Sequence, residues 1–234
     1  MTFHLPTTDR DIAVMRMNIH TFLALLVGLL GTESAMAIEE PAYDTIVSQA
    51  PFELRHYAPT LIAQTVVNGD MDTASSKGFR LIADFIFGNN LAADTGQAAQ
   101  IAMTAPVTMA PQSSKIAMTA PVTIEQQSVE TSLPGPSQWR IHFVMPRQYT
   151  LANIPKPNNS AVTLLELPHK YMVVHRYSGF NTVARVQEKT KETLAWAKQQ
   201  SLQVIGIPQL SRYDPPWTLP LFRRNEIMVE VAAP

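Results

Sequence analysis

Two successive prolines follow Tyr213-Asp214, and six residues later Arg223-Arg224-Asn225-Glu226 runs straight into Ile227. The prolines fix φ and impose an extended kink. Beyond the charged cluster, Ile227, Val229 and Val231 alternate with Met228 and Glu230, the period of a half-buried strand. Such a string reads as a strand tied down by charge. Trp139, Ile141, Phe143 and Met145 alternate in the same manner with Arg140 and His142.

A duplication at an offset of about 110 residues organises the rest. Residues 54–69 carry a turn at Ala58-Pro59, a strand-like run over 61–67 and then Asn68-Gly69. Residues 164–179 repeat this order through Pro168-His169, a run over 171–177 and Ser178-Gly179. Each unit then enters a helix. The first is predicted over 73–87, stopped by Gly88-Asn89-Asn90, and the second over 182–199 with Asn181 as N-cap. A proline-interrupted extended segment follows each helix, placing Pro106 and Pro216 at the same offset. The pattern predicts an α+β domain of eight or so strands. Its pseudo-twofold strand-helix-strand units would form a curved antiparallel sheet or distorted barrel flanked by two helices. Long loops are expected over 125–137 and 153–160, both rich in proline.

At 234 residues, 46% hydrophobic and 16% charged, the chain is long enough to bury a core. Its front reads as a separate element. Arg16 precedes an apolar run from Phe22 to Leu30, and Ala35-Met36-Ala37 has the small-x-small pattern of a signal-peptidase site. The run is about half the roughly 20 residues of a spanning helix. Residues 1–37 are therefore expected to be a signal peptide cleaved after Ala37, with Met17 a candidate start. Residues 38–234 would form the exported domain, periplasmic or extracellular and not inserted in the membrane. Without the leader, 16 basic and 16 acidic residues remain. No basic run interleaves with aromatics, which argues against nucleic acid as a partner. There is no cysteine, so neither disulfides nor thiolate ligands contribute.

The segment Ile-Ala-Met-Thr-Ala-Pro-Val-Thr occurs at 101–108 and again at 116–123. Its prolines argue for edge strands or a bulge. Met103 and Met118 read either as soft ligands for a metal or as flexible core fillers, and no Met/His cluster accompanies them. On the first helix, Phe79, Ile82, Phe85 and Ile86 cover one arc and are expected in the core. Arg80, Ala83 and Phe87 line a flank at i, i+3 and i+7. That flank suits a flat apolar ring with an acidic edge; equally, Phe87 widens the buried stripe and Arg80 faces solvent. The terminal motif reads first as a structural weld, with Asp214 capping the turn and Arg223 or Arg224 paired with Glu226. No nucleophile–base pair or phosphate loop is visible, so binding, not catalysis, is the expectation.

The terminal string, together with Ile101-Ala102-Met103-Thr104-Ala105-Pro106-Val107 and Glu53-Leu54-Arg55-His56-Tyr57, resembles the SOUL haem-binding family from Tyr43 to Val231. The resemblance implies the same α+β architecture and a bound tetrapyrrole, haem b or a relative, in a shallow apolar groove beside the first helix. It makes Arg80 a propionate partner, with Lys77 one turn earlier as a second. It also makes His56 a candidate axial ligand to iron, although members differ at that position. His142, His169 and His175 are scattered without the spacing of a metal site. The expected role is haem buffering, transfer or scavenging, with a haem donor or acceptor protein as partner. The alternatives are an effector-binding module for another flat amphipathic ligand and a haem-modifying enzyme.

Overall fold

The computed structural model describes residues 38–112 and 138–234. The leader and its cleavage point, Met17, the second Ile-Ala-Met-Thr copy with Met118, and the loop over 125–137 lie outside the described residues.

Among the described residues, eleven strands and two α-helices follow in the order β1 (Tyr43–Gln49), β2 (Phe52–Tyr57), β3 (Thr60–Asn68), α1 (Met71–Ile86), β4 (Asn90–Leu91), β5 (Val107–Pro111), β6 (Gln138–Val144), β7 (Lys156–Pro157), β8 (Thr163–Leu167), β9 (Lys170–Tyr177), α2 (Val183–Gln199), β10 (Gln209–Arg212) and β11 (Asn225–Val231). Nine strands form one antiparallel sheet, ordered β1-β2-β9-β11-β10-β5-β6-β3-β8, which curls into a half-barrel; β4 and β7 pair separately. The α+β class is as the alternation predicts. Pairing between the two strand–turn–strand units is crossed: β2 lies on β9 and β3 on β8.

Both helices cover one face of the sheet. Trp139, Ile141 and Phe143 of β6 point toward α1, sharing a core with Ala63, Ile82 and Phe85. Trp196 and Ala197 of α2 pack on Leu54, Val173 and Val229. One expectation for α1 fails: Phe79 is 39% exposed, and Gly78 takes the core position. A Cβ at Gly78 would lie 2.8 Å from Ile141 Cγ1, so only glycine lets the helix come this close to β6. Phe79 is thereby turned outward, leaning on the Phe143 ring at 5.4 Å. Pro106 is also placed differently from the expected edge or bulge. It precedes the first residue of β5, which then pairs on both sides, with β6 and β10, so its missing N–H falls outside the ladder. Met103 is partly exposed, while Ile101 and Ala105 of the same copy are buried.

The helix starts differ slightly from their signals. Asp70 caps α1, its carboxylate accepting from the Asp72 and Thr73 amides at 3.0 and 2.8 Å; Gly88, at φ +124°, ends the helix. Thr182, not Asn181, caps α2, because Asn181 is drawn into the sheet: it accepts from Tyr177 Oη and donates to Asn225. The Thr73 amide and hydroxyl hold the Asp70 carboxyl below its ordinary value. A depressed carboxylate pKa contributes stability above the unfolded value that is lost as pH falls through the folded one. Asp70→Ala is therefore expected to lower Tm at pH 7, with the difference between the two proteins shrinking as the pH falls through the acid range. Asp70→Asn should retain most of the cap at pH 7.

Candidate functional site

Along one flank of α1, Phe79, Ala83 and Phe87 succeed one another at i, i+4 and i+8, which sets the two rings about 12 Å apart along the axis. Ala83 is only 7% exposed, whereas Phe87 is 59% exposed. The flank is thus a saddle of two exposed aromatic rings with the buried Ala83 between them. Arg80 lies along its rim, exposed, with Nε donating to the Ser76 carbonyl at 3.2 Å. That bond leaves its terminal nitrogens to address an anion. Lys77 is exposed farther round the helix, and Asp84, the acidic group nearby, accepts a hydrogen bond from Asn89. Four of the five site residues expected from the sequence, Arg80, Ala83, Phe87 and Lys77, therefore share this helix.

The structure does not bring His56 to that flank. It lies on β2, while α1 packs on β3 and β6, and four strands intervene in the sheet order between β2 and β6. At about 4.8 Å per strand, that is roughly 24 Å along the sheet. Its ring instead stacks on Tyr171 at 4.5 Å, and Nε2 is 3.4 Å from Nδ1 of His169. Among the described residues no cluster of three or more His, Cys, Asp or Glu side chains is placed to hold a metal.

A second concave feature has no motif in the sequence to mark it. A cleft of about 670 Å³ opens at the start of α2, lined by Phe180, Thr182, Arg185, Glu188, Pro220 and Leu221 among others. The Arg185 guanidinium is fixed by the Ser178 carbonyl and stands 5.9 Å from the Tyr177 ring centre. Arg223 stands 5.7 Å from the Phe180 ring, its Nε donating to the Thr218 carbonyl at 2.7 Å. Around the cleft, Trp217 is 82% exposed, and Leu219, Leu221 and Phe222 also face outward. The available signal was the run Trp217-Thr218-Leu219-Pro220-Leu221-Phe222, which Pro215, Pro216 and Pro220 mark as loop although it is apolar.

The terminal charged motif sits on the sheet face opposite the helices. Glu226 is fully buried and accepts from Arg55 at 3.0 and 3.2 Å, from Arg224 Nε at 3.0 Å and from Tyr213 Oη at 2.6 Å. Arg55 also binds Glu53, and Arg224 binds Glu40 with both oxygens at 2.9 Å. Burial works against the charge on Arg55, but Tyr57 and Glu226 outweigh it and hold the guanidinium protonated more firmly than usual. Burial, reinforced by Glu226, pushes the Tyr213 phenol up, so it remains a donor. Asp214 accepts from the Arg224 amide and closes the base of the loop. Arg224 thus makes the expected pair with Glu226. Arg223 does not, holding loop carbonyls instead. Satisfied on every side, the motif is a weld between β2, β11 and the preceding loop.

Comparison with known proteins agrees with this architecture. No curated protein matches the chain. Among solved structures, the C-terminal domain of EcmrR superposes with a TM-score of 0.52 at 12% identity, covering 82% of this chain and 99% of that one. EcmrR in its complex with DNA gives 0.53 at 11% identity, covering 96% and 69%. These likenesses concern the fold alone. The model of the SOUL heme-binding protein family matches residues 38–230, most of the chain and almost all of the folded domain just described. On that match, this chain belongs to the SOUL haem-binding family.

Proposed function

We propose that the protein is an exported carrier that binds haem b or a related tetrapyrrole reversibly on the flank of α1, and that it buffers, transfers or scavenges its ligand without transforming it. The observation that carries this reading is the Phe79–Ala83–Phe87 saddle with Arg80 at its rim. A porphyrin face lies on apolar surface, and a propionate finds a guanidinium whose fork matches a carboxylate. Lys77 offers a second, less directional cation. Because His56 is distant from this flank, binding there rests on apolar contact and propionate pairing, without an axial bond from His56.

An absorbance titration of the purified protein with ferric haem tests this. Saturable one-to-one binding is expected, weakened about tenfold in Arg80→Ala, the low end for a charge-assisted hydrogen bond at an exposed site. Phe87→Ala is expected to weaken it by a similar factor, and His56→Ala to leave the Soret band unchanged. The cleft at the start of α2 supports a second seat for the same ligand, since it is concave and carries Arg185 and Arg223 beside apolar walls. On that reading, Arg185→Ala and Leu221→Ala weaken binding, and the α1 variants do not. Failure of the folded wild-type protein to bind haem at all would remove both seats.

A further inference from the structure

We propose that His56 and His169 form a two-nitrogen chelate for a divalent transition-metal ion, copper(II) above all, at the outer end of β2. The two residues are 113 positions apart in sequence, and neither has the local spacing of a metal motif. The turn between β8 and β9 nevertheless sets His169 Nδ1 3.4 Å from His56 Nε2. A metal holding two imidazole nitrogens at about 2.0–2.1 Å, at a square or tetrahedral angle, places them roughly 2.8–3.4 Å apart. The pair is therefore spaced as neighbouring ligands; the two nitrogens share a hydrogen bond, which an ion would replace after a modest turn of the exposed His169 ring.

Three further features favour a ligand there. The His56 ring is held by its stack on Tyr171, at 4.5 Å and 18° between planes, which limits its rotation. His169 is exposed and His56 half-buried, so an ion has access from solvent. Lys170, the neighbouring cation, is neutralised by Glu230 at 2.5 Å. Metal binding requires both nitrogens as lone pairs. In neutral imidazoles this needs only that each ring carry its proton on the other nitrogen, His56 on Nδ1 and His169 on Nε2. Imidazole donors suit copper, nickel and zinc, and copper(II) binds most tightly in the first-row order.

The test is calorimetric titration of the full chain, without an affinity tag, with copper(II) chloride, together with low-temperature electron paramagnetic resonance of the bound ion. One equivalent is expected to bind with nitrogen hyperfine structure from two imidazoles. His56→Asn and His169→Asn should each weaken binding by at least about tenfold, the loss that even an outer-shell partner costs a metal site, and each should change the hyperfine pattern. Near-ultraviolet circular dichroism checks that both variants keep the native packing. Absence of copper binding to the folded wild-type protein would overturn the proposal. So would binding undiminished in either variant.

Discussion

Glu226→Ala is expected to destabilise the folded domain by about 3–5 kcal/mol, the cost of breaking a buried ion pair by removing one partner. The loss is large because Glu226 is the shared acceptor for two guanidiniums and a phenol, and Arg55 lies too deep to turn to water in its place. Arg55, 2% exposed, would keep only Glu53 and Tyr57 as partners. With about 2–4 °C of Tm per kcal/mol for a domain of this size, the melting temperature should fall by roughly 6–20 °C. Glu226→Gln fills the space and keeps one acceptor oxygen but loses the charge, so it should fall between wild type and alanine. Thermal melting followed by circular dichroism decides. A change in Glu226→Ala within about 2 °C would mean that the cluster is solvated and the weld is not what holds β11 to β2.

The second large effect is expected at Gly78. Valine there would put its Cβ against Ile141 Cβ, Cγ1 and Cδ1 at 2.8 to 2.9 Å, distances that real Cβ atoms do not tolerate. Helix propensity alone would favour almost any residue over glycine by up to about 1 kcal/mol. Overpacking reverses the sign, and Gly78→Val should cost about 1–3 kcal/mol. Gly78→Ala should recover part of its loss when combined with Ile141→Val, because the shorter side chain gives the helix room. A double-mutant cycle measured by urea denaturation reads that coupling directly, and strictly additive effects would contradict the close approach. Gly78 also determines which way α1 faces. With the helix lifted from β6, the saddle on its outer side shifts as well, so haem affinity in the surviving folded variant should drop alongside stability.

The strands were legible wherever polar and apolar residues alternate: in β6 one face is partly solvated, and in β11 Glu226 and Glu230 interrupt the apolar run although Glu226 is buried in the charged weld. Both helices were legible too, with termini off by one or two residues. At the second start, Asn181 and Thr182 are both capping residues, and only the pull of Tyr177 and Asn225 decides between them. The crossed pairing of β2 with β9 and β3 with β8 had no local signal, since register between distant strands is a property of the closed sheet. Position 79 was misplaced for a related reason. Helical periodicity ranks a phenylalanine above a glycine for the core, but the separation of α1 from β6 selected the residue with no side chain. At the site, Arg80, Ala83, Phe87 and Lys77 needed only helix geometry to be placed together. His56 needed the whole sheet to be placed apart from them, and the same sheet brought it to His169.

The most direct test of tetrapyrrole binding on α1 is a ¹H–¹⁵N correlation spectrum of the protein with substoichiometric ferric haem, whose paramagnetic iron broadens nearby amides. Binding on α1 removes the signals of residues 76–88, while those of residues 178–188 and 217–222 persist. Broadening confined to the latter set, with the α1 signals intact, would contradict it and move the ligand to the cleft at the start of α2.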